Sequence, residues 1–241
     1  MLKTAKVKSE IFVRKLGAKF GFDFKMTDEE RLIRLLEHHK IDLILDVGAN
    51  TGQYAKEIFS LGYKGKIISF EPLTDAYKKL TENSRGRNNW TIAERCALGD
   101  EDGEVEINIS ENSVSSSILK VMGSHTDSEP GAKIKSTEKT KVFKLDSVAD
   151  KYLKGYKSIY YKIDTQGYEE KVLIGSKETL SKIKGIELEM SLIKLYEGQK
   201  LYLDLISILN SYGFELQSIE PAFTDKKSGR LLQVNGIFFR E

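Results

Sequence analysis

Apolar positions along the chain fall into short runs separated by longer polar stretches, and their period changes from run to run. LILDV (43–47), KIISF (66–70), SIYYKID (158–164) and KGIELEM (184–190) are compact apolar runs that predict strands. GEVEINIS (103–110) alternates strictly and predicts another, and WTIAERCAL (90–98) and KVFKLDSV (141–148) are read the same way. Helical spacing appears in TDEERLIRLLEHHK (27–40). There Thr27 can cap, three acids suit the positive end of the dipole, and Leu32, Leu35 and Leu36 form the stripe. His38 and His39 sit in its last turn, where cations are favoured, which accounts for them without chemistry. Further helices are predicted over TGQYAKEIFSLG (51–62), TDAYKKLTENS (74–84), 147–154, 169–182 and LYLDLISILNSYG (201–213). Residues 111–140 are polar, Ser-rich and aperiodic, which predicts a long loop, either functional or disordered. FELQSIEP and LLQVNGIFFRE, joined by the turn-forming AFTDKKSG, predict a closing hairpin. Strand–helix alternation implies a mostly parallel sheet with helices on both faces and this hairpin at one edge.

Charge divides the chain. Residues 1–25 hold seven basic and two acidic residues (+5) against +2 for the whole, so the remainder is −3. Phe12, Val13, Leu16 and Phe20 lie near helical spacing in this arm. The pattern fits a helix that packs on its own domain or on a second copy in a homodimer, and it also fits peripheral membrane contact; packing is favoured. We therefore divide the chain into a basic helical arm, 1–40, and a domain, 41–241. The small net charge gives a nucleic-acid role no support. No apolar run reaches the length of a membrane span or a secretory core, so a cytoplasmic protein is expected. A single cysteine, Cys96, rules out an internal disulfide and a zinc cluster.

The chemistry concentrates in LDVGANTGQYAKEIFSLGYKGKIISFEP. Asp46 and Glu71 stand at the carboxyl ends of two strands, where open α/β sheets bind ligands, with Gly48 and Gly52 in the first turn. The spacing is D-x-G-x-x-x-G, and Asn50 stands where a dinucleotide fingerprint needs its second glycine. An acid beside that turn opposes a pyrophosphate and suits a cationic, phosphate-free nucleoside. S-adenosylmethionine has that character, with Asp46 toward its positive groups and Glu71 accepting from both ribose hydroxyls. A nicotinamide oxidoreductase and a non-catalytic nucleoside-binding subunit are the rival readings.

DVGANTGQY, SFEP, CALGDEDGEVEI, NSVSSSIL, LDSV, KIDTQGYE and EPAFTDKKSGRLLQVNGIFFR follow in this order. Together they resemble the FkbM family of S-adenosylmethionine-dependent methyltransferases over about residues 41–241. The resemblance implies a class I, Rossmann-like fold with a mostly parallel seven-stranded sheet, and O-methylation of a sugar or glycoconjugate hydroxyl. It implies that Asp46, Gly48, Asn50, Gly52 and Tyr54 lie along the methionine part, Glu71 and Pro72 at the ribose, and Arg95, Cys96, Ala97 and Leu98 beside the adenine. Gln166 and Asn235 stand where the family more often has acids. For the acceptor, Asp164 at the end of SIYYKID is the candidate base and a further cofactor neighbour, with His125 and Glu189 as further catalytic candidates. Ser115, Ser116, Ser117 and Glu169 are candidate acceptor contacts, Glu169 being equally a helix N-terminal partner. Asp164 and Glu189 could also share a divalent cation such as Mg²⁺, which is not expected.

Overall fold

The computed structural model describes residues 27–241. The charge-rich part of the basic arm, residues 1–25, therefore lies outside the described residues. Helix α1 (Asp28–His38) starts with a reciprocal cap: Glu30 N–H donates to the Thr27 hydroxyl, and Thr27 N–H donates to the Glu30 carboxylate. Its Leu32 and Leu36 are buried beside Ile44 and Ile237, and His39 stacks on Phe239 at 4.0 Å. The packed unit thus extends through α1.

Then follow β1 (Leu43–Val47), α2 (Gln53–Ser60), β2 (Lys66–Phe70), α3 (Thr74–Ser84) and β3 (Trp90–Ile92). The chain continues through β4 (Ala97–Leu98), β5 (Gly103–Ser110), α4 (Gly123–Ser128) and β6 (Ile134–Phe143). It closes with α5 (Leu145–Leu153), β7 (Ile159–Ile163), α6 (Glu169–Ile174), β8 (Ile183–Ser191), α7 (Tyr202–Ser211), β9 (Glu215–Pro221) and β10 (Gln233–Phe239).

Seven strands form one sheet in the order β3-β2-β1-β7-β8-β10-β9, parallel except where β10 runs against β8 and β9. Strand residues alternate between the two helical layers. Leu43, Leu45, Tyr161, Ile163 and Leu188 pack with α5, α6 and α7, whereas Ile44, Ile67, Tyr160 and Ile237 pack with α1, α2 and α3. The chain leaves β1 toward β3 and returns beside β1 at β7, so the strand order reverses at that pair. That is where an open α/β sheet offers a crevice beyond its carboxyl ends. No helix among the described residues is long and apolar enough to cross a membrane.

Four sequence expectations change. WTIAERCAL is two strands in different sheets, because Ala93–Cys96 turns away from β2, leaving β4 to pair with β6 in a three-stranded sheet with β5. Residues 111–140 are not one loop: they contain α4, a 3-10 turn at Pro130–Ala132 and the first part of β6. Much of that strand is exposed, so no apolar alternation marks it. KVFKLDSV ends as a strand at Phe143, and α5 already begins at Leu145; likewise 169–182 is α6 plus a separate 3-10 turn at Thr179–Lys182.

Candidate active site

The turn after β1 is GANTG, and three of its residues, Gly48, Asn50 and Gly52, have positive φ. Glycine has no Cβ to resist that conformation, and asparagine tolerates it best among the others. At Gly48 a second constraint applies. A Cβ there would fall 1.8 Å from the carbonyl oxygen of Asp164, because the ends of β1 and β7 pass at backbone contact. Gly48→Ala is expected to destabilise the fold by about 2–3 kcal/mol, from strain and clash together. A thermal melt should show a midpoint lower by about 5–10 °C.

Glu71 ties this turn to the next. Its Oε2 accepts from Asn50 N–H at 2.8 Å and its Oε1 from Leu73 N–H at 2.9 Å. One lone pair on each oxygen is left for another donor. Burial lifts this carboxyl to about 7 despite those two bonds.

Two polar rows cross the sheet where its strands end. In the first, Ser69, Asp46, Lys162 and Glu187 are register partners on β2, β1, β7 and β8. Lys162 Nζ lies 3.5 Å from Asp46 Oδ1 and 3.4 Å from Asp164 Oδ2, and 5.2 Å above the Tyr54 ring. Burial pulls the ammonium's pKa down, but the surrounding carboxylates Asp164, Asp46, Glu187 and Glu189 outweigh it and hold the group charged. Ser69 donates to Asp46 Oδ2 at 2.9 Å. Glu187 Oε2 accepts from Tyr54 at 2.9 Å and from Tyr160 at 3.1 Å.

The second row, two residues nearer the strand ends, holds Asp164 and Glu189. Between them stands the Gln166 amide, whose Nε2 donates to Asp164 Oδ1 at 2.8 Å and to Glu189 Oε2 at 2.7 Å. Gln166 Oε1 accepts from the Tyr196 hydroxyl at 2.7 Å, and Gln233 Nε2 donates to Glu189 Oε2 at 2.8 Å. These bonds hold Gln166 at φ +56°, a left-handed turn unusual for its residue type. Burial, then the charges of Asp164 and Glu169, push the Glu189 carboxyl well above its ordinary range. The space between Asp164 and Glu189 is therefore lined by N–H donors, which does not fit a hard cation seeking oxygen ligands.

A cavity of about 450 Å³ opens over both rows. It is lined by Gly48, Asn50, Glu71, Pro72, Cys96 and Ala97 from earlier in the chain, and by Ser115, Ser116, Ser117, His125, Phe223 and Gln233 further along. Tyr54, Asp164 and Glu189 also line it. Cys96 is buried and its thiol is pushed up to about 12, so it is a packing residue. The three serines shape the wall through bonds to backbone and neighbours: Ser117 donates to Gln166 O at 2.7 Å, Ser115 accepts from Asn112, and Ser116 accepts from Ser110 N–H. His125 is 2% exposed, packed edge-on to Tyr196, and its Nδ1 has no hydrogen-bond partner. Burial lowers its pKa, which keeps the imidazole neutral.

Four sequence-predicted site residues do not reach the cavity; one is Arg95, whose guanidinium is turned to Pro72 O and Glu138 Oε1, donating to them at 2.6 and 2.7 Å. Asp46 is fully buried under Lys162 and Ser69, so its charge acts through Lys162. Gly52 is needed for packing, since a Cβ there would strike Trp90 and Leu80. Glu169 is buried and turned back on its own loop, where its Oε1 accepts from Thr165 N–H and Gly167 N–H. Conversely, Lys162, Glu187, Tyr196 and Gln233 belong to the constellation and were not singled out. The available signal was a lysine inside the apolar run IYYKI, two residues before Asp164, beside ELE on the neighbouring strand.

The methyltransferase FkbM domain matches residues 46–216. The 2-O-methyltransferase NoeI of Sinorhizobium fredii is 28% identical over 190 residues, 76% of this chain and 76% of that protein. The hexuronic acid methyltransferase AglP of Haloferax volcanii is 28% identical over 165 residues, 67% of this chain and 62% of that protein. Among solved structures, TehB from Haemophilus influenzae superposes with a TM-score of 0.49 at 10% identity, over 95% of this chain and 66% of that one. With the domain match running from the first site strand to β9, this chain belongs to the FkbM family of S-adenosylmethionine-dependent methyltransferases.

Proposed function

We propose that the protein transfers a methyl group from S-adenosylmethionine to a hydroxyl of a sugar or glycoconjugate. The observation that carries this reading is one cavity lined both by the Gly48–Asn50 turn and Glu71 and by the acids and amides around Asp164 and Glu189. The names of two relatives, a 2-O-methyltransferase and a hexuronic acid methyltransferase, support the acceptor class.

The residues present fit the cofactor. Glu71 keeps a free lone pair on each oxygen, suited to a ribose diol, and Pro72, Cys96 and Ala97 also line the cavity. Gly48, Asn50 and Tyr54 line it as well, with Lys162 and Asp164. When bound, S-adenosylmethionine supplies a methyl carbon already activated by its sulfonium. The chain's own task is then to bring the acceptor oxygen into line, exclude water and take up the hydroxyl proton. Asp164 is our candidate for that proton, as the carboxylate of the second row most open to the cavity, with 32% of its side chain exposed. Gln166 and Lys162 orient its two oxygens.

Glu71 gives the reading a proton signature. Its carboxyl is near half-protonated at pH 7, and a diol that hydrogen-bonds to the ionised form lowers its pKa. Binding of S-adenosylhomocysteine at pH 7 is therefore expected to release a fraction of a proton, read by calorimetry in buffers of different ionisation enthalpy. Glu71→Gln should remove that release and weaken binding by about tenfold or more. Thermal stabilisation by NAD but not by S-adenosylhomocysteine would instead favour a nicotinamide oxidoreductase. Incubation with labelled methyl donor and a panel of nucleotide sugars, lipid-linked sugars and free oligosaccharides tests the activity directly.

A further inference from the structure

The cavity's charge is one-sided. Among the described residues that line it, the ionisable acids are Glu57, Glu71, Glu129, Asp164, Glu187 and Glu189, and the cation is Lys162. That ammonium is not free for an acceptor, because it is already shared between Asp46 and Asp164. Among the described residues, the rest of the lining contributes uncharged partners. Gln166, Gln233 and Asn235 supply amides, His125 a neutral imidazole, and Phe223 and Val114 an apolar surface.

Resting on the sugar O-methyltransferase reading, we infer that the acceptor ring entering this cavity is uncharged, carrying neither a carboxylate nor a phosphate. An anionic ring would meet Asp164 and Glu129 while the lining cation among the described residues, Lys162, is already engaged by Asp46 and Asp164, and like charges across an interface are strongly disfavoured. Glu189 adds to that field when ionised and offers no positive charge when protonated. An uncharged ring loses nothing to this field. Its hydroxyls can use the amides and acids, and its C–H faces can lie against Phe223. By this inference the chain differs from its relative named for a hexuronic acid.

The test is a set of matched glycosides that share ring configuration and aglycone. Each hexoside is compared with its hexuronide and its 6-phosphate, in the gluco, galacto and manno series, with labelled methyl donor and the full chain. The uncharged member is expected to lead each active series by about tenfold or more in kcat/KM. Val114 lies at the cavity wall and is half exposed, so Val114→Lys brings a cation there without disturbing a buried contact. It is expected to narrow the hexoside-to-hexuronide ratio at least about threefold. A hexuronide or 6-phosphate used as well as the hexoside would overturn the inference, and so would a ratio that Val114→Lys leaves unmoved. Binding of S-adenosylhomocysteine is measured in parallel. If it binds and no glycoside of any charge is methylated, the sugar reading falls and this inference with it.

Discussion

Asp164→Asn is expected to lower kcat by about 10²–10⁴-fold while S-adenosylhomocysteine affinity stays within about threefold. The substitution preserves shape and keeps an oxygen for the Gln166 amide, 2.8 Å away. What it removes is the negative charge and the capacity to take a proton. In the wild type Oδ1 is held by Gln166 and Oδ2 faces Lys162 at 3.4 Å, yet a carboxylate has about four acceptor positions, so two remain for an acceptor hydroxyl. Lys162 keeps Asp46 as a partner in the variant, so the fold should persist. Single-turnover transfer of a labelled methyl group separates this chemical effect from product release. His125 is the rival: its imidazole is neutral, lines the cavity and has an unpartnered Nδ1. Retained turnover in Asp164→Asn together with loss in His125→Gln would move the base role to His125.

The parallel core and closing hairpin were legible because their signals are local. Apolar runs, a glycine turn and a helix at the end of each run repeat along the chain, and β1, β2, β7 and β8 lie where those runs predict. Glu71's place in the cavity lining was legible too, since it stands at a strand end beside a glycine turn. Asp46 occupies a similar place in sequence and a different one in space. It lies one pleat back from the end of β1, on the face covered by α2, where Tyr54 and Lys162 close over it. Distinguishing the two requires the strand register, which no single run contains. The same holds for Lys162 and Glu187, each unremarkable in its own strand and telling only as cross-strand partners. Gln166 looked like a missing acid. Its amide in fact supplies hydrogen bonds to Asp164 and Glu189 that an ionised carboxylate cannot donate, so the loss of charge goes with a new function in holding the pair. The middle of the chain was least legible because β6 draws its order from backbone pairing with β5, and the serine segment from side-chain hydrogen bonds to near neighbours and to Gln166 O. Those bonds leave no hydrophobic period to read.

Lys162→Met should then be the most destabilising substitution in the site, costing about 3–5 kcal/mol, or a melting midpoint lower by about 10 °C or more. Methionine matches the aliphatic stem, so little packing is lost. The cost arises because Asp46 is fully buried and its Oδ1 has no hydrogen-bond partner, leaving the ammonium at 3.5 Å as its compensation. Asp164 and Glu187 lose the same cation at the same time. The sign of the pH dependence follows from Asp46. Burial already raises its folded pKa above the ordinary 3.8, and loss of Lys162 raises it further. A raised carboxylate favours folding below its unfolded pKa and loses that contribution as pH rises through the folded value. The deficit of Lys162→Met relative to wild type should therefore be largest at and above neutral pH and shrink as pH falls toward 4. Adding Asp46→Asn should recover part of the lost stability at pH 7 and little at pH 4, because it removes the uncompensated charge at the only pH where that charge persists. Denaturant titrations of the two single variants and the double variant at both pH values give the coupling energy directly. A deficit that does not change with pH would show that Lys162 acts through packing, and that the polar row across β2, β1, β7 and β8 is not held together by charge.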